Sequence, residues 1–388
     1  MASFLRTRLP ALLLAVLCLF LPAGAPPVAS PPHVASVRPL RELDGAWARF
    51  AGAARPTSHW TGGDSTYSVP VPGGELWVFS DTFLGRVRPD GSRAPLTGKG
   101  ATPFVHNSFV RWDAAGPHTV TGRDRAGRPA SLVPGAADGS SWYWARAAIR
   151  DGRDVTVVYA RYVRTGTGPL DVAWRANTLA RFRPGDLTRP SSLTPLPSAA
   201  GVAWGAWLAR DGDHTYVYGT EPAPGGAHYL RLARTDGTDL RHPWRYRTAD
   251  GGWSARETDA ARLTGPDGAA LLVSDELSVV RHGHWYALVT QRADQPFSAE
   301  LRLAWSRTPA GPFTRPRTFH TAPEAGPRGT YRNANVIAYN PHEHPELERR
   351  GELVVSYNVN SLVPEDVIRT ASVYRPRFLR VTLVPPGR

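Results

Sequence analysis

Cysteine is almost absent from this chain: Cys18 is the only one, and it lies within the first thirty residues. A mature protein starting after that region would have neither disulfides nor thiolate chemistry. Lysine is nearly absent too, with Lys99 alone, so the net charge of +13 rests on arginine. The arginines are scattered and form no basic run, which argues against a nucleic-acid partner and for a solvated surface. No stretch beyond the first thirty residues approaches the about 18 apolar residues of a membrane span. Helical periodicity is also scarce. The chain lacks a Gly-x-Ser-x-Gly elbow, and Gly166-Thr167-Gly168 has neither the flanking elements nor the lysine of a phosphate loop.

The opening segment has Arg6 and Arg8, then an apolar run from Leu9 to Leu21 broken by Pro10, then small residues at 23–25 and 28–30. This is the layout of a secretory signal peptide, so residues 1–30 are expected to be removed and the protein exported, with no membrane attachment afterwards. Leu17 is too large for the position before a lipidated cysteine. Residues 31–388, about 360 of them, suffice to bury a large core without cross-links.

Short segments rich in Val, Tyr, Trp and Leu alternate with Gly, Pro and Asp turns, the pattern of an all-β fold. They fall into five groups: 66–112, 142–182, 205–247, 277–306 and 334–384. Groups of three or four strands spaced roughly 40 to 65 residues apart predict a five-bladed β-propeller as a single domain. A large β-sandwich would give similar strands, but the grouping favours the propeller. The proline-rich stretch 184–197 is expected to be a loop between blades, and a monomer is expected.

Several stretches carry a resemblance: GDSTYSV (63–69), LWVFSDTFLG (76–85), HNSFV (106–110), SRTPAGPF (306–313), HPELERRGELVVSYNVNS (344–361) and YRPRFLRV (374–381). Together they resemble a family of secreted bacterial proteins without an assigned function, similar to the five-bladed propeller glycoside hydrolases, including arabinan-degrading enzymes. Where related sequences have Phe-Gly-Asp-Thr, this chain has Ser80 in place of the glycine and keeps Asp81. The resemblance implies the propeller fold and, less directly, hydrolysis of a polysaccharide or oligosaccharide, either an arabinan or another furanose polymer.

Glycoside hydrolysis needs two carboxyl groups across the scissile bond. A hairpin with Gly73-Gly74 at its tip returns Asp81 to the end where Asp64 starts, so both acids are expected at one mouth of the channel. The alternatives are an Asx-turn at Asp64 and a turn cap at Asp81. Asp275-Glu276 forms a further pair before the first strand of the fourth group. Side-chain alternation should send the two to opposite sides, and Glu276 is the preferred general acid. In the hydrolases the chain resembles, an aspartate of the first blade is base or nucleophile and a second tunes the acid or orients the sugar. The resemblance assigns those roles to Asp64 and Asp81.

Candidate substrate contacts are His106, Asn107, Trp144, Trp204, Asp275, Asn333 and Asn335; each has a structural reading as turn, cap or core residue beside it. Asn358 and Asn360 read more strongly as backbone caps. His342-Glu343-His344 invites a zinc reading, but a His-x-His pair in a proline-flanked loop with no third ligand nearby does not support one. No cofactor or metal is expected, with calcium in the channel left open. The remaining alternatives are a sugar-binding propeller without catalysis and an envelope protein that uses its arginines on anionic polymers.

Overall fold

The computed structural model describes residues 30–53, 58–168 and 171–385; the expected signal peptide, with Cys18, lies outside them except for Ser30. Pro31–Arg388 forms one unit and carries all the elements that follow.

The chain is all-β with few helices. Five sheets have four or more strands, and every strand pairing within them is antiparallel. The first holds Tyr67–Val71, Gly74–Phe79, Ser108–Asp113 and Gly116–Val120. The second holds Ser141–Asp151, Asp154–Arg164, Val172–Phe182 and Ser192–Leu196. The third runs through Ala203–Asp211, His214–Pro222, His228–Asp236, Arg245–Arg247 and Trp253–Ser254, with Leu272–Val273 paired to its third strand. The fourth comprises Ser278–His282, Trp285–Gln291, Glu300–Ser306 and Arg317–Thr321. The fifth comprises Val336–Glu343, Glu352–Ser361 and Pro376–Val384, and its outer strand is His33–Pro39 from the other end of the chain. Consecutive sheets meet along their first strands, and His342 in the fifth stacks its ring on Tyr67 in the first at 3.9 Å between centroids.

Two sequence expectations are corrected here. The stretch 184–197 is not only a loop, because Ser192–Leu196 is the fourth strand of the second sheet. Pro195 is tolerated there because the strand is an edge. A helix also forms at Arg41–Gly52. Leu43, Trp47, Phe50 and Ala51 share one face of it at helical spacing. Trp47 is buried against Trp60, Trp77, Phe79 and Trp112, with centroids 4.8 to 5.5 Å apart.

The first hairpin sets the register that matters for function. Tyr67 pairs with Val78 and Val71 with Gly74, so the same register carried outward sets Asp64 opposite Asp81. Asp64 N–H donates to the Asp81 carbonyl at 3.2 Å, and Ser80 N–H to the Asp64 carbonyl at 3.1 Å. At the tip only Gly73 uses a positive φ, of 83°. Gly74 is required for space, since a Cβ there would lie 2.1 Å from the Trp112 carbonyl oxygen.

Candidate active site

Asp64 is followed by two residues in the left-handed region, Ser65 at φ 66° and Thr66 at φ 50°, both buried. Neither is glycine, and such residues cost roughly 1–3 kcal/mol each, which the surroundings must offset. Asn358 helps to do so from the fifth sheet: its amide donates to Thr66 Oγ1 at 2.8 Å and to the Gly63 carbonyl at 3.3 Å. The strained turn lifts the Asp64 carboxyl into a part-buried position where Tyr339 Oη donates to its Oδ2 at 2.6 Å. Asn360 donates in turn to Tyr339 Oη at 3.1 Å. Asp64 Oδ1 is buried with no partner among the described residues.

Asp81 lies beside it. His106 Nδ1 is 2.8 Å from Asp81 Oδ1, and Trp144 Nε1 donates to the same oxygen at 2.8 Å. His106 is itself stacked on buried Trp142, with rings 5.1 Å apart. Tyr374 Oη donates to the Asp81 carbonyl at 3.3 Å. Burial first, and then the neighbouring charge of Asp81, raise the Asp64 carboxyl well above its ordinary value; the Tyr339 and Tyr374 hydroxyls pull it down, and Glu276 pushes it up further. Asp64 therefore holds its proton at pH values where an ordinary aspartate has lost it.

Asp275 and Glu276 lie in a bend before the fourth sheet, not in a strand, and they take different partners. Asp275 accepts from buried Arg146 at 3.1 Å and from Thr220 at 2.8 Å, with His228 at 3.7 Å. Burial works against its charge, but Arg146, His228 and Thr220 outweigh it and hold the carboxyl down at about 2. Glu276 turns inward and is only 7% exposed. It accepts from Ser65 Oγ at 2.8 Å, and its Oε2 lies 3.2 Å from His342 Nε2. Burial lifts it to about 8 despite Arg146 and Ser65, and lowers His342 to about 3, so the imidazole is neutral. A calcium ion at this point would rest mostly on water, because Glu276 offers one free oxygen where calcium takes roughly six to eight.

Residues 48–383 match the family described as a domain of unknown function, DUF5005. The chain belongs to the DUF5005 family. No curated protein sequence matches it. Among solved structures, a presumed hydrolase from Bacteroides ovatus shares the fold at a TM-score of 0.69 and 22% identity, over 89% of this chain and 90% of that one. A GH43_1 enzyme from Xanthomonas citri, complexed with xylotriose, is similar at 0.45 and 14% identity, over 88% and 91%. A xylan beta-1,4-xylosidase from Bacillus halodurans gives 0.45 at 11%, over 84% of this chain and 56% of that one.

The other expected contacts of this DUF5005 chain divide sharply. His106, Trp144 and Asp275 are part-exposed and belong to the two carboxylate clusters just described. Asn107 is fully buried and wholly engaged: it donates to the Val133 and Tyr143 carbonyls at 2.9 Å and accepts from Val133 N–H at 2.8 Å. Trp204 is core, with its Nε1 donating to Glu257 at 2.8 Å and its ring against Trp244 and Tyr246. Asn333 donates to Asp366 at 2.6 Å and accepts from Asn335 N–H at 2.9 Å, so both shape the turn before the fifth sheet. Asn107→Ala is expected to cost about 2–4 kcal/mol of stability by stranding three buried backbone groups. Chemical denaturation measures that loss, and the hydrolytic rate of the still-folded fraction should be unchanged.

Sequence reasoning missed Tyr339, Tyr374, Arg146 and His342. Each lies on a different strand or turn from the acid it touches, and although His342 and Tyr374 fall in stretches singled out from the sequence, nothing there pairs them with these acids. The strain at Ser65-Thr66 left no signal either, because neither residue type favours a positive φ.

Proposed function

We propose that the five sheets are the blades of a five-bladed propeller whose first strands line a central channel, and that the protein is an exported glycoside hydrolase acting at one mouth of it. The observation that carries this reading is the Asp64–Asp81 pair. Two carboxyl groups stand side by side on one hairpin; one is driven to keep its proton, and the other accepts two N–H donors on one oxygen. Environments that push neighbouring carboxyls apart are how an acid and a base are made from the same side chain. Asp64 is the general acid: it passes its proton to the glycosidic oxygen as the bond to the anomeric carbon breaks. Asp81 acts as the carboxylate partner, taking a proton from water or attacking the anomeric carbon itself.

These roles differ from the sequence reading, in which Glu276 is the preferred acid and the resemblance makes Asp64 the base or nucleophile. Glu276 is 7% exposed and engaged with Ser65 and His342, and its place is to support Asp64 through Ser65. His106, Trp144, Tyr339 and Asp275 supply hydrogen-bonding and stacking groups for sugar rings. The substrate class we propose, a polysaccharide with arabinan among the candidates, rests on the resemblance to arabinan-degrading propellers.

Reducing-sugar release from a panel of polysaccharides, with D- and L-arabinans included, tests the reading. Release by the wild type is expected; binding without release across the panel would make the protein a sugar-binding propeller instead. The pH profile adds a sharper check. Tyr339→Phe removes a donor that holds the Asp64 carboxyl down, so the alkaline limb of the rate profile should move to higher pH. An unmoved limb would take the titration away from Asp64.

A further inference from the structure

The motif His342-Glu343-His344 is split by strand alternation. His342 faces Glu276 in the channel, while His344 is buried between Ser68 and Ser356. Glu343 closes the first strand of the fifth sheet, and there it meets His282, which closes the first strand of the fourth. His282 Nε2 contacts Glu343 Oε1 and lies 4.0 Å from Glu348 Oε2. One ligand atom from each of the three side chains lies within 4.8 Å of the other two. Glu343 N–H also donates to Ser278 Oγ at 3.0 Å, so the cluster joins the fourth and fifth sheets one residue along from His342.

We propose that His282, Glu343 and Glu348 bind a divalent transition-metal ion, zinc in the first instance, which clasps the fourth and fifth sheets together. Two observations point there independently of the grouping. Glu343 is 1% exposed, and its second oxygen, Oε2, is buried with no hydrogen-bond partner. The ion pairs of Glu343 and Glu348 among the described residues are both with His282, so two acids share one imidazole and no arginine. A buried carboxylate pair of this kind needs either a shared proton or a cation. One imidazole nitrogen and two carboxylate oxygens suit zinc, whereas calcium and magnesium favour oxygen alone. Ligands about 2.0–2.1 Å from a tetrahedral ion stand about 3.3 Å apart, so small side-chain adjustments close the site and leave the fourth position to water.

The test uses the full mature chain, stripped with a chelator and then titrated with zinc in a competition assay, with thermal unfolding followed in parallel. The wild type should take up one equivalent and unfold at higher temperature with zinc than with chelator. Glu348→Gln and His282→Gln, checked for folding by circular dichroism, should each weaken uptake at least tenfold and lose the thermal response. Absence of stoichiometric uptake by the folded wild type overturns the proposal and leaves a proton-sharing pair. Uptake equal in wild type and in either folded variant also overturns it, by placing the ion on other histidines. Should neither variant fold, an identical unfolding temperature of the wild type with zinc and with chelator overturns it, and a rise with zinc upholds it.

Discussion

Asp64→Asn is expected to lower hydrolysis by about 10³-fold or more, within the range that one general acid contributes, while sugar binding is retained. The asparagine keeps the shape of the side chain and can still receive the Tyr339 hydroxyl, but it has no proton to give the leaving oxygen. Stability should move in the opposite direction to activity. The folded protein raises the Asp64 carboxyl above its unfolded value, so the stability linked to this group is fully present below the ordinary aspartate range. That stability is lost as pH rises through the folded value. Near neutrality the folded protein must hold a proton on Asp64 that the unfolded chain has released, a cost to folding that an asparagine does not carry. The variant should therefore unfold at an equal or higher temperature than the wild type at pH 7, with the difference closing at pH 4. Paired rate and melting measurements decide it: loss of activity together with loss of stability would make Asp64 a structural turn residue.

The second large effect concerns the helix that the periodicity scan overlooked. Trp47→Ala is expected to destabilise the fold by about 3–5 kcal/mol, the usual cost of emptying a large aromatic site in a core. Trp47 is 1% exposed and lies among four aromatic rings from the first sheet and its approach, so the cavity has few flexible neighbours to fill it. The helix also anchors the fifth sheet, because Asp44 accepts the Phe378 N–H at 2.9 Å and the Leu40 N–H donates to the Phe378 carbonyl at 2.7 Å. Loss of Trp47 should loosen His33–Pro39 from Pro376–Val384 as well. Denaturant titration gives the magnitude, and hydrogen exchange at 33–39 shows whether the outer strand is released. A loss below 1 kcal/mol would mean that the helix is an independent appendage.

Much of the site was legible because hairpins obey a simple register. A glycine tip and alternating apolar residues between 66 and 79 are enough to bring position 64 back opposite 81, and the backbone hydrogen bonds show that pairing. Trp204 and Asn107 were not legible. Tryptophan and asparagine serve equally well as core ring or sugar platform, and as buried bridge or ligand contact. Only the partners decide, here Glu257 for one and the Val133 and Tyr143 groups for the other.

The amino-acid sequence by itself determined the strand-rich class, the grouping into five sets and the presence of two acids at one hairpin end. Those properties follow from short-range rules: side-chain alternation, turn chemistry and local register. Only the tertiary structure decided which acid keeps its proton, what lies beneath it, and that Glu343 meets His282. Those depend on burial and on neighbours brought in from distant strands, and a carboxyl group responds to the field at its position and not to its place in the chain.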